Sequence, residues 1–424
     1  MKPLFKVCAV AKDEGPYLAE WIFHHLYFGF DLIHVYINRT SDASVRVLER
    51  ISQAYPQVTF ESIDWIDLCD PGVSAKLQTI AYAKELDRSR QQNVGWLLFL
   101  DVDEFWVPAD FTMSVDQLVA SVCSDQPAPI CHLWHCELGQ GAPFRLLSNG
   151  SGYELSSHLK TLFPINDIDI KHVRIHHPIF GKQVAPVDAD GAPMIFDERQ
   201  SELAGQSVIK PKKAYIIHRM YRSEKEYMAM MLRGRPSQKS QVKLNRPGYR
   251  SHTNVTIRRR FLWPKDKFLE YDLKKRSFLD ANDIDNIVRQ DKAAILKRAN
   301  LAVSMLGELL ESPDRSRAMA FLKGTRHEVV ASDEAPAPAP AAIQPVASEG
   351  QLPPRSAPAE LDRPESIQEP AQSDSTQPEQ TLSEQTLSEP VRPEPIQVKR
   401  EAEMLPVVET RRRRSWFAAL VGRS

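Results

Sequence analysis

The 424-residue sequence predicts an α/β fold: a mostly parallel sheet flanked by helices, followed by a helical segment and a disordered tail. Three observations carry this. Short apolar runs alternate with amphipathic stretches through the first hundred residues. Each apolar run ends in polar or charged residues. Near Val330 the composition changes sharply, with 14 of the chain's 31 prolines between Pro336 and Pro406 and no aromatic residue between Phe321 and Trp416.

The elements follow in order. "LFKVCAVAKDE" (4–14) reads as a buried strand ending in charge. "GPYLAEWIFHHLYFGF" (15–30) reads as a helix with Leu18, Trp21, Ile22, His25 and Leu26 on one face. "LIHVYINRTSD" (32–42) is a second strand, "SVRVLERISQAY" (44–55) a helix and "VTFESIDW" (58–65) a third strand. "SAKLQTIAYAKELDRSRQ" (74–91) is a helix, and "VGWLLFLDVDE" (94–104) a fourth strand. Helical crossovers between strands imply a parallel sheet covered on both faces. Such sheets bind ligands outside the carboxyl ends of their strands. Those ends are "KDE" (12–14), "NRTSD" (38–42), "DWID" (64–67) and "DVDE" (101–104), which should rim one crevice. Farther on, "PICHLWHCEL" (129–138) reads as an apolar strand and residues 280–311 as helix, capped by Asn282 or Asp283 and packing on the sheet.

The net charge of −1 is a sum of unlike parts. Lys210 to Arg276 holds 20 Lys and Arg against 5 Asp and Glu, while the first 200 residues lean acidic. The basic part implies an anionic partner. Five cysteines, Cys8, Cys69, Cys123, Cys131 and Cys136, form no CxxC pair. "CHLWHC" is dense enough to raise zinc, but its apolar setting favours thiols acting as small hydrophobes in a reducing compartment. The N-terminus runs straight from a short apolar run into charge, unlike a signal peptide. No run approaches the ~18 apolar residues of a membrane span. A cytoplasmic chain is expected.

The chemistry concentrates at "FLDVDEF" (99–105). In an extended strand Asp101 and Asp103 point the same way, and Glu104 lies on the other side. Two carboxylates side by side repel unless a cation sits between or beside them. Oxygen ligands favour Mg2+ or Mn2+, and Mg2+ takes one or two carboxylates together with substrate phosphates.

The order "AKDEGPYLAEWIFHHLYFGFD", "IHVYINRTSD", "FLDVDEF", and then "HLKTLFP", "VRIHHP" and "IIHRMYRSEKEYMAMMLRGRP", resembles the glycosyltransferase family 2-like proteins over roughly residues 5–236. The resemblance implies a GT-A nucleotide-sugar fold, a UDP- or GDP-linked donor sugar, a glycan acceptor and surface polysaccharide synthesis. Carried over, Asp103 binds the metal and Asp101 lies near the ribose and metal. Glu14 lies near the base, Asn38 and Asp42 belong to the nucleotide loop, and Lys76 faces the sugar or phosphate. Asp13 stands where the family often has Asn, and Asn38-Arg39 departs from its commoner Asn-Asn or Asp-Asn. His218 completes the metal shell or contacts phosphate, with His176 and His177 as rivals for that role. Lys160 contacts phosphate or acceptor. An inverting transferase needs a general base, for which Glu137, Asp167 and Asp169 are the candidates. Gly139 and Gly141 suggest a tight loop on the acceptor side.

The expected boundaries are 1–240 for the GT-A-like domain and 241–330 for a basic, then helical, extension packing on it. Residues 331–410 are read as a disordered Pro-rich linker and 411–424, "RRRRSWFAALVGRS", as a basic amphipathic tail that can contact an anionic membrane surface. Two rival functions stand beside the transferase. One is a phosphatase of the haloacid-dehalogenase kind, whose paired aspartates follow the first strand and continue to Thr or Val. The other is a binder of nucleic acid or an anionic polymer through residues 210–276. The transferase reading expects no nucleic acid.

Overall fold

The computed structural model describes residues 2–328, apart from 124–125, 167, 201 and 235–241. The expected linker at 331–410, the tail at 411–424 with its membrane contact, and the candidate base Asp167 lie outside the described residues.

The first elements follow the predicted alternation: β1 (Leu4–Ala11), α1 (Gly15–Tyr27), β2 (Leu32–Ile37), α2 (Ser44–Ala54), β3 (Val58–Ser62), a 3-10 turn (Asp64–Leu68), α3 (Pro71–Ser74), α4 (Leu77–Gln91) and β4 (Val94–Phe99). Next come β5 (Glu104–Pro108), α5 (Val115–Val122), β6 (Ile130–Glu137) and β7 (Gly152–Pro164). Short strands β8 (Ile170–His172), β9 (Ile179–Phe180) and β10 (Val187–Asp188) lead to β11 (Ala214–His218), α6 (Glu224–Met230) and β12 (Arg259–Arg260). The described chain ends in α7 (Lys265–Ala281), α8 (Ile284–Ile287), α9 (Arg289–Ser304), α10 (Leu306–Glu311) and α11 (Arg315–Leu322).

The main sheet runs β3-β2-β1-β4-β7-β6-β11-β5. Its first four strands are parallel, with Val7 opposite both Ile33 and Leu98. Strand β7 is antiparallel to β4 and β6, because it returns from β6 through a loop rather than a crossover helix. Strand β5 is antiparallel to β11. Side chains alternate between two apolar layers. Val7, Ala9 and Leu98 face α1 and α2, while Cys8, Val10, Leu97 and Phe99 face Tyr82 and Leu86 of α4. Helices therefore cover both faces, as expected.

Strands β4 and β5 are consecutive in sequence yet four places apart in the sheet. In a flat sheet four places is about 19 Å. The link is a tight turn in which the Glu104 amide donates to the Asp101 carbonyl at 2.9 Å. A turn of this kind brings its ends within about 7 Å. The sheet must curl for both to hold, and the DVD turn marks where its ends approach.

The basic stretch holds a helix that composition concealed: α7 starts at Lys265 and packs Tyr271 and Phe278 on Phe23 of α1. The single helix expected over 280–311 is broken. Asn282 ends α7, donating to the Phe278 carbonyl at 2.8 Å, and Asp283 starts α8 from a left-handed backbone, φ 54°. Ile295 and Ala299 of α9 pack in a cluster with Tyr227 and Met228 of α6.

Candidate active site

At the carboxyl ends of β1 and β4 lies a cavity of ≈490 Å3. Its wall brings together Glu14, Lys76, Asp101, Asp103, His176 and His218, all named by the sequence. It also brings in Lys12, from the "KDE" strand end expected to rim the crevice, and Gln78, Trp134, Arg233, Lys243 and Arg246, which the sequence did not single out. The last three come from the basic stretch, where composition marked an anion site but no spacing singled out a residue.

Asp101 and Asp103 share this cavity, though not by strand alternation. β4 ends at Phe99, so the pair lies in the turn, and the turn presents both carboxylates. The Asp101 carboxylate accepts from Gln78 Nε2 at 2.9 Å. Asp103 Oδ2 lies 3.6 Å from His218 Nε2 and 3.6 Å from Arg246 Nη2. Burial raises the Asp103 pKa, but His218, Arg246 and Arg222 outweigh it and hold the carboxyl well below the usual range. The His218 ring rests on Trp134, centroids 4.1 Å apart, and its Nδ1 has no hydrogen-bond partner among the described residues. His176 also lines the wall, but burial first, with Lys160 adding, lowers its pKa to about 3, so it is neutral in ordinary buffers. His177 is turned into the core, bonding Thr161 Oγ1 through Nδ1 at 2.8 Å.

Five Lys and Arg side chains (Lys12, Lys76, Arg233, Lys243, Arg246) face three carboxylates across this cavity. Glu14 is largely neutralised, accepting from Arg222 Nη2 at 3.1 Å and from Arg233. The remaining balance is cationic around Asp101 and Asp103. Such a wall suits a phosphate-bearing ligand.

Other predicted residues have different surroundings. Asp42 caps two helices: its Oδ2 accepts from the Gly15 amide at 2.8 Å and its Oδ1 from the Ser44 amide at 2.9 Å. Asn38 is fully buried and donates to Asp67 Oδ2 at 2.8 Å, tying the ends of β2 and the 3-10 turn. Neither is part of the cavity wall. Lys160 is fully buried behind the turn, 3.1 Å from Glu104 Oε2 and 4.0 Å from Asp101 Oδ2. It supports the aspartates from below rather than facing phosphate.

The proposed bases need correction. On β6, Trp134 faces the cavity, so Glu137, three positions on, faces the other side. There it pairs with Arg219 Nε at 2.8 Å, and Arg219 also holds Glu20 at 3.0 Å. Asp169 is exposed just before β8, paired to Lys171 at 2.8 Å, and it too is absent from the cavity wall. Glu137→Ala should therefore act as a structural lesion. We expect a loss of about 3 kcal/mol in urea unfolding, since buried Arg219 would keep only Glu20, which it shares with Lys275. A variant of native stability with abolished turnover would restore Glu137 as the base.

The residues of "CHLWHC" alternate between the two faces of β6 and are buried in the core. All five cysteines are free, and no group of three or more His, Cys, Asp or Glu placed to hold an ion occurs among the described residues. His135 stacks on Tyr215 at 3.9 Å inside the core.

The helix motif "EWIFHH" is scaffold. Glu20 accepts from the Leu147 amide at 2.6 Å, Trp21 Nε1 donates to the Glu104 carbonyl at 2.8 Å, and His24 bridges the Trp106 carbonyl and Tyr271 hydroxyl. Arg219, held by Glu20, donates its amide to the Asp103 carbonyl at 2.8 Å. The motif thus sets the DVD turn from behind.

Residues 7–137 match the model of Glycosyltransferase family 92. A glycosyltransferase family 92 protein of Arabidopsis thaliana is 29% identical over 100 residues, covering 24% of this chain and 16% of the relative. The chain thus spans about a sixth of the length of that relative. A crystal structure of a glycosyltransferase involved in glycosylation of the major capsid of PBCV-1 aligns over 38% of this chain and 60% of that one, at 12% identity and a TM-score of 0.18. The sequence matches support a glycosyltransferase, and they are to family 92 rather than to the family 2-like group. The matched segment holds Glu14, Lys76, Asp101 and Asp103 and stops before His218 and Arg246. No helix among the described residues is long and apolar enough to cross a membrane.

Proposed function

We propose that this chain is a GT-A-type glycosyltransferase. It takes a UDP- or GDP-linked sugar as donor and moves the sugar to a hydroxyl of a glycan acceptor in surface polysaccharide synthesis. The observation that carries this is the pairing of Asp101 and Asp103 with five Lys and Arg side chains in one cavity at the strand ends. Paired carboxylates suit a divalent cation, and the surrounding cations suit a diphosphate.

The residues fit Mg2+ or Mn2+ on one condition. Asp101, Asp103 and His218 are not by themselves placed to hold an ion, so donor phosphates must supply part of the shell, which is the habit of Mg2+. Asp103 and His218 would hold the ion, with Asp101 beside them. When bound, the ion neutralises charge on the departing diphosphate. Lys76, Lys243 and Arg246 stabilise the same charge without moving far, because they already line the wall. Gln78 orients the Asp101 carboxylate, and Lys160 below it offsets its charge.

The test is a panel of UDP- and GDP-sugars assayed for hydrolysis without acceptor, with Mn2+ and with a chelator. We expect one donor to be hydrolysed and the chelator to remove nearly all of that activity. Hydrolysis of none, together with no nucleotide binding, would overturn the reading.

A further inference from the structure

The donor cavity is one end of a longer groove. It shares Trp134, His218, Asn245 and Arg246 with a second cavity of ≈660 Å3. The second shares Glu154 and Leu155 with a third of ≈430 Å3. The shared walls make the three contiguous along β7, which contributes His158 to the second and Tyr153 to the third. Five steps of extended strand is roughly 17 Å, longer than one sugar ring.

The chemistry changes along this path. The middle combines apolar surfaces, Trp134 stacked on His158 at 4.6 Å with Met220 and Pro247, and the hydroxyls of Ser156 and Ser157. The apolar side chains of Met220 and Pro247 beside those hydroxyls match the two kinds of surface on a sugar ring. The far end is basic, with Arg250, Arg258 and Arg259 against Glu154 alone. Arg250 is committed to Glu154, donating from Nη2 at 2.6 Å. Arg258 and Arg259 are exposed and take part in none of the ion pairs among the described residues. Arg259 is also fixed in place, since its backbone pairs with Tyr153 of β7.

We propose that this groove binds the acceptor, and that Arg258 and Arg259 select an acidic glycan by engaging a carboxylate or sulfate on a unit beyond the one that receives the sugar. The proposal rests on the transferase reading of the donor cavity. Guanidinium forks match such oxyanions in shape as well as charge. A glycan is favoured over nucleic acid because the aromatic rings of the groove are stacked on protein partners, Trp134 on His158 and Tyr153 on His135. Single strands are held instead by aromatic rings offered to bases.

Calorimetry on the full chain, without nucleotide or metal, tests this with a hexuronic acid oligosaccharide and its carboxyl-reduced neutral form. The wild type should bind the acidic form about tenfold more tightly, the size two exposed ion pairs can supply. Arg258→Ala with Arg259→Ala should remove that preference, and Arg258→Glu with Arg259→Glu should reverse it, with unchanged melting temperatures. Equal binding of the two oligosaccharides by the wild type would overturn the proposal. So would an acidic preference that survives both double variants. A polynucleotide bound more tightly than the acidic oligosaccharide at about 0.15 M salt would overturn it in favour of nucleic acid. Because no nucleotide sugar enters the assay, failure of the donor reading would show in the hydrolysis panel and not here.

Discussion

Asp103→Ala is expected to weaken Mn2+-dependent binding of a nucleotide diphosphate by more than about 10–100-fold. That range is the loss when only an outer partner of a metal ligand is removed, and a direct ligand should cost more. The carboxylate stands 3.6 Å from both His218 Nε2 and Arg246 Nη2. Its pKa is depressed, so by linkage its contribution to stability is present above the unfolded value of about 3.9 and is lost as pH falls through the folded one. The group is therefore ionised throughout any neutral assay, and Asp103→Asn should lose metal-dependent binding much as alanine does. Calorimetry of UDP and GDP with Mn2+ and with chelator reads this directly. Undiminished binding by Asp103→Ala would remove the metal from the proposal and leave the diphosphate to the cations alone.

Lys160→Met should cost about 1–3 kcal/mol of stability at neutral pH, the penalty of leaving a buried polar group without its partner. Lys160 and Glu104 are both fully buried. Burial pushes the Glu104 carboxyl up to about 8, against the pull of Lys160. Burial also works to discharge Lys160, but Glu104 and Asp101 outweigh it and raise its pKa. The two groups hold each other. Glu104→Leu with Lys160→Met should recover most of the loss, because apolar replacements of similar volume often match a buried pair, and the double-mutant cycle measures the coupling. Urea unfolding is the measurement. If Lys160→Met kept full stability and lost only nucleotide affinity, Lys160 would be the phosphate contact that the sequence suggested.

The alternation from β1 to β4 was legible because each element carries its own period. Leu18, Trp21, Ile22 and Leu26 fall on one helical face, and Val7 and Ala9 alternate with Cys8 and Val10 in the strand. The carboxyl ends of β1 and β4 were legible as a site for the same reason: polar residues at the end of buried strands have few uses other than ligands and caps. Which use applies was not legible. Asp42 and Asp101 look alike in sequence, yet one caps two helices and the other faces a cavity. Glu137 looked like a base because it follows a strand, but a one-residue change of face decides whether such a carboxylate meets substrate or the core. Arg246 and Lys243 gave no signal beyond charge, since they reach the cavity from some 140 residues beyond Asp103, through contacts no local pattern records.

The sequence by itself determined the layered α/β architecture, the crevice at the strand ends and the acidic pair at its centre. Local periodicity and the cost of burying charge are sufficient for those. The tertiary structure decided the rest. It curled the sheet so that a turn, not a strand, presents Asp101 and Asp103. It buried Lys160 and Glu137 in ion pairs, and it brought Arg246 and His218 to Asp103. Electrostatic partners are chosen by distance in space, and that distance exists only once the long-range strand order is in place.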